Sequence, residues 1–95
     1  MDDRHERLPE HRDAALAAGA RLSVTQNGRG EIQIVGNRVG LRALAAICTG
    51  LATLTPEELQ TPANHYHLDE DFWGTEKGSV PLTVSCREDG WARVN

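Results

Sequence analysis

The stretch Leu22-Ser23-Val24-Thr25-Gln26-Asn27-Gly28-Arg29-Gly30-Glu31-Ile32-Gln33-Ile34-Val35 decides the reading of the fold. Leu22 and Val24 alternate with polar residues, and so do Ile32 and Ile34, which is the two-residue period of a strand. Between the two runs, Asn27-Gly28 tolerates the positive φ that a tight turn demands. Gly30 adds a further permissive position and predicts a loop longer than two residues. The stretch therefore reads as an antiparallel hairpin over about residues 20–26 and 30–35.

Just beyond it, Gly36-Asn37 breaks the strand and places a capping side chain before a new period. Val39, Leu41, Leu44, Ala45, Ile47, Cys48 and Leu51 recur at three- and four-residue spacings, predicting an amphipathic helix over about residues 38–52. Arg38 and Arg42 fall on its outer side, and Gly40 and Gly50 weaken only its ends. On the other side of the hairpin, residues 1–8 are charged and aperiodic and read as a flexible leader. Pro9 suits the first turn of a short helix over residues 10–18, with Gly19 as its stop.

Downstream, residues 53–63 form a connector in which Thr55-Pro56-Glu57-Glu58 predicts one capped helical turn. His65-Tyr66-His67-Leu68-Asp69 reads as a third strand, followed by an acidic aromatic loop, Glu70-Asp71-Phe72-Trp73-Gly74. Val80, Leu82 and Val84 alternate as a fourth strand, and Pro81 puts its start at a sheet edge. Asp89-Gly90 predicts a turn into a last short segment, residues 91–94. The expected fold is α+β, in a single domain over residues 9–95. It combines a small, mostly antiparallel sheet of about four strands with one main amphipathic helix on one face and a short N-terminal helix.

Ninety-five residues make one domain with a thin core, since a chain of this length buries only roughly 60–65% of its unfolded surface. One Phe, one Tyr and two Trp leave little aromatic bulk, so Trp73 and Trp91 are expected to be at least partly buried, or one of them to anchor a partner. Cys48 and Cys86 read as small buried hydrophobes with free thiols. The charged start, Met1 to Arg7, lacks the apolar stretch of a secretion signal, and no apolar run approaches a membrane span. A cytoplasmic location and no membrane partner are the expectation.

The net charge of −4 is uneven, with eight acids against three bases in residues 51–95. That half is a poor match for a nucleic-acid backbone and a good one for a basic protein, although a modest negative balance also simply keeps a small protein soluble.

In an extended strand, His65, His67 and Asp69 share one face and Tyr66 and Leu68 the other. Two imidazoles and a carboxylate in a row are plausible ligands for zinc or a similar ion, but a site needs more ligands, and the other histidines, His5 and His11, lie in the leader and first helix. A bland alternative makes these histidines solvent-facing and bonded to neighbouring strands. A third option is a recognition face, with Glu70, Asp71 and Trp73 extending it as an acidic patch with an aromatic anchor. Cys48 lacks a basic partner, no nucleophile elbow surrounds Ser79 or Ser85, and Glu57-Glu58 suits a first helical turn, so catalysis is not expected.

Three pieces of the chain resemble the immunity protein 32 family of bacterial polymorphic toxin systems. They are Ile32-Gln33-Ile34-Val35-Gly36-Asn37 running into Gly40-Leu41-Arg42-Ala43-Leu44-Ala45, then His65-Tyr66-His67-Leu68-Asp69, then Gly78-Ser79-Val80-Pro81-Leu82-Thr83-Val84. The resemblance implies a small α+β protein that binds and blocks a cognate toxin, for which a basic nuclease is the guess. The expected contact surface is His65, His67, Asp69, Glu70, Asp71 and Trp73, with Glu76 and Glu57 at the rim. No metal or cofactor is expected. The alternatives are a small divalent-metal protein or hydrolase using His65, His67 and Asp69, and a homodimer paired near Pro81 or through Phe72 and Trp73.

Overall fold

The computed structural model describes residues 14–71 and 73–89. The leader, the first turns of the opening helix, Phe72, the turn at Gly90 and the segment with Trp91 lie outside the described residues. The described residues open on a helical segment over residues 14–17. Gly19 follows at φ +87°, and the N–H groups of Ala18, Gly19 and Ala20 reach back to the carbonyls of Ala14, Leu16 and Ala15. A left-handed glycine closing the last turn is the expected stop.

The hairpin forms as β1, Leu22–Gln26, and β2, Ile32–Gly36, antiparallel with Val24 opposite Ile34. Its turn is governed by Asn27, whose side-chain oxygen accepts from the N–H groups of Arg29 (2.9 Å) and Glu31 (3.0 Å). The residue with positive φ is Gly30, at +79°, and not Gly28. Asn27 thus acts as an Asx cap over a longer loop, and the left-handed residue is the extra glycine.

Asn37 then caps α1, Arg38–Ala52, by accepting from the Gly40 N–H at 2.7 Å. The same side chain accepts from the Arg21 N–H (3.0 Å) and donates to the Gly19 carbonyl (2.8 Å), while its own N–H reaches the Arg21 carbonyl (3.1 Å). One asparagine therefore ties the helix start to the entry of β1. Gly40 lies at that crossing, where a Cβ would sit 2.0 Å from the Arg21 carbonyl oxygen. Read from sequence, Gly40 is only a weak helix former; in three dimensions it is where two backbones touch.

Beyond α1, Thr55 and Glu58 cap each other reciprocally, the Thr55 N–H giving to the Glu58 carboxylate and the Glu58 N–H to the Thr55 hydroxyl. Two short 3-10 turns follow, Glu58–Gln60 and Pro62–Asn64. They deliver β3, His65–Leu68, which pairs antiparallel with β4, Leu82–Ser85. The strand starts after Pro81, as its missing N–H requires.

The four strands among the described residues form two two-stranded sheets, β1–β2 and β3–β4. Residues 76–80 join them: the Glu76 N–H bonds to the Leu22 carbonyl (2.8 Å), the Val80 N–H to the Val24 carbonyl (2.7 Å), and the Ser79 hydroxyl accepts from the Val24 N–H (3.2 Å). This irregular segment occupies the place where a third strand would continue the first sheet.

The core lies between these layers. β1 contributes Leu22, α1 contributes Ile47 and Leu51, β3 contributes Tyr66 and Leu68, and Trp73 enters from the loop; Ala20 completes this cluster, and Val24 of β1 is fully buried as well. Tyr66 and Leu68 point inward as their alternation predicts. One expectation is corrected. The buried stripe of α1 runs through Ile47 and Leu51 with Val39, Ala43 and Leu44 beside it, so Cys48, one residue and about 100° round the helix, is exposed. In β2, Ile32, Ile34 and Val35 all stay exposed, because nothing among the described residues covers that strand.

Candidate functional site

β3 and the loop after it carry most of the polar groups that the sequence singles out. His65 and His67 do share a face, with ring centroids 4.9 Å apart and planes at 84°, edge to face. His67 shares a hydrogen bond of 3.1 Å with the Thr83 hydroxyl, its register partner on β4. His65 Nδ1 lies 3.1 Å from Asn64 Oδ1, and the Asn64 amide nitrogen donates to the Leu59 carbonyl at 3.0 Å. That second bond turns Oδ1 toward the ring, where it can accept from Nδ1 of His65.

The acidic loop is a folded cap. The main-chain carbonyl of Asp69 accepts from the N–H groups of Trp73, Gly74 and Thr75 at 3.0–3.2 Å, which winds the chain back on itself. Gly74, at φ +84°, permits the reversal. The Glu70 carboxylate accepts from the Gly78 N–H at 3.1 Å and braces the loop from the far side. Glu76 pairs with Arg21, whose Nε lies 3.0 Å from the Glu76 carboxylate. That hydrogen bond, and then the carboxylate's charge, raise the pKa of the Arg21 guanidinium above its ordinary value. The pair is exposed on the Arg21 side and fixes the loop's position more than it adds stability.

The predicted surface residues are placed as follows. His67, Glu70 and Asp71 are exposed, and His65, Asp69 and Glu76 are half-buried. Glu57 is exposed in the connector before the first 3-10 turn, away from the β3–β4 hairpin in sequence. Of the two places expected for Trp73, the buried one is taken: it is 1% exposed and belongs to the core, not to an exposed aromatic anchor. The three bonds to the Asp69 carbonyl turn the loop inward, and an indole gains more from burial under the thin core than from exposure.

One feature went unpredicted. Asn64, His65, Ser85, Cys86 and Arg87 line an open cleft of about 510 Å³ at the end of the β3–β4 hairpin. The register pairs His65 with Ser85, so strand alternation with a correct pairing was the signal that would have found it.

Among the described residues, no group of three or more His, Cys, Asp or Glu side chains is placed to hold a metal ion. His5 and His11 lie outside the described residues. Among the described residues, no helix is long and apolar enough to cross a membrane.

The family model of immunity protein 32 matches residues 31–87, more than half of the chain. The chain belongs to the immunity protein 32 family. The match starts at the end of the β1–β2 turn and takes in β2, α1, both 3-10 turns and the β3–β4 hairpin with its loop. No curated protein and no solved structure matches the chain. Membership of the family implies a toxin partner.

Proposed function

We propose that this immunity protein binds and neutralises a cognate bacterial toxin by direct contact in the cytoplasm, without catalysing a reaction. The contact surface is His65, His67, Asp69, Glu70 and Asp71, with Glu76 and Glu57 at its rim. Trp73 supports that surface from beneath. The observation that carries the reading is that His67, Glu70 and Asp71 are all exposed, the last two on a loop braced by the bond from the Gly78 N–H to Glu70 and lying inside the family match. Preorganised charge of one sign speeds encounter with a partner of the other, so the toxin's binding face is basic. A nuclease cleft, built to hold phosphates, is the surface such a patch covers best.

Asp69 and Asp71 changed together to Asn should slow association with the toxin encoded beside this gene by about tenfold at low salt and flatten the salt dependence of the rate. Stopped-flow measurement at low and high salt checks this; identical rates at both would remove the surface from consideration.

The metal reading makes its own demand. Protein purified without chelator is expected to carry no stoichiometric metal, and adding a chelator should leave its Tm unchanged. A stoichiometric ion whose removal lowers Tm would transfer His65, His67 and Asp69 to that alternative.

A further inference from the structure

We propose that two copies of this chain pair through the outer edge of β2, antiparallel about a two-fold axis at Ile34. In an antiparallel ladder, residues alternate between bonding the neighbouring strand and pointing away from it. Leu22 and Val24 bond to residues 76–80, so they point away from β2. Their register partners Gly36 and Ile34 therefore point away from β1, and Ile32 does the same two residues further on. The amides and carbonyls of Ile32, Ile34 and Gly36 make an edge to which no described strand is bonded. It carries no proline, lysine or inward charge, the usual devices that keep strand edges apart.

The side chains point the same way. Among the described residues the exposed large hydrophobics are Leu16, Ile32, Ile34, Val35 and Leu41. The last four are 42–49% exposed; Ile32 and Ile34 share one face of β2, Val35 lies on the other, and Leu41 comes from α1. Leu41 reaches it by lying over Gly36, its Cγ 3.2 Å from where a Cβ would stand. In the two-fold arrangement Ile34 meets Ile34, and Ile32 meets Gly36 of the second copy, where Leu41 supplies the missing side chain. Charge selects this occupant over a foreign strand. Glu31 precedes β2 and Arg38 follows it as the first residue of α1, so an antiparallel copy brings the acidic end of each strand to the basic end of the other. The interface is small, which sets the expected association in the micromolar range.

Sedimentation velocity of the full chain from micromolar to millimolar concentration should show a reversible monomer–dimer equilibrium; a monomer throughout overturns the proposal. Ile34→Pro removes an outward N–H that β1 does not use. It should weaken dimerisation by at least about tenfold while the dilute monomer melts close to the parent. A proline can also distort the strand, so the charge exchange is the independent arm. Glu31→Arg should weaken the dimer by a similar factor, and adding Arg38→Glu should restore it. Arg38→Glu cannot restore the bond between Glu31 and Asn27, so rescue reports the contact between copies. A dimer that survives Ile34→Pro, or a double variant as weak as Glu31→Arg, overturns the pairing.

Discussion

Gly40→Ala is expected to destabilise the protein by about 3 kcal/mol, the top of the usual overpacking range, lowering Tm by roughly 12–24 °C for a domain of this size. Helix propensity alone predicts the opposite sign, a gain of about 1 kcal/mol, because alanine is the better helix former. Packing decides the outcome. The added methyl would lie 2.0 Å from the Arg21 carbonyl oxygen and 2.8 Å from its carbon. These are main-chain atoms and cannot rotate away, so the helix start must lift off β1. Lifting it breaks the bonds by which Asn37 holds Gly19, Arg21 and Gly40 together. Total stability of a domain this long is of the order of 5–15 kcal/mol, so the loss is a large share of it. Thermal and urea unfolding of the variant measure the change directly. A variant as stable as the parent would mean that helix and strand do not approach as closely as described.

Trp73→Ala is expected to cost about 3–5 kcal/mol, the range for truncating a large buried aromatic. Trp73 is the largest of the fully buried side chains among the described residues, and it touches the core shared by both hairpins and α1. The backbone bonds from Trp73, Gly74 and Thr75 to the Asp69 carbonyl do not involve the indole, so the loss measures side-chain burial. Stability and toxin affinity separate the two roles the residue was open to. A core tryptophan lowers Tm steeply and weakens binding through loss of folded protein. A surface anchor would leave Tm near the parent and weaken binding alone, and that pattern would contradict the burial seen here.

Much of the fold was legible because it rests on short-range physics. The alternation of Leu22 and Val24, the Asn37 cap, the period of α1, the reciprocal cap of Thr55 and Glu58 and the inward set of Tyr66 and Leu68 each depend on residues within a few positions of one another. Even there, detail depended on the turn's own hydrogen bonds: Asn27 gathers two N–H groups, and that moves the left-handed residue to Gly30. The candidate site was legible to the same depth. Alternation placed His65 and His67 together, yet it could not say that the loop after Asp69 folds back onto that residue's carbonyl. Composition flagged Trp73 as too bulky to waste and left its destination open.

The sequence by itself determined the α+β class, the hairpin, the capped main helix and which faces of β3 are apolar, because period and capping act over one or two turns of chain. Only the tertiary structure decided that Trp73 is core, that Gly40 is a backbone crossing, that the described strands divide into two sheets bridged by residues 76–80, and that no described strand bonds the outer edge of β2. Each of these rests on contacts between residues far apart in the chain, where the fold brings together surfaces that local preference cannot foresee.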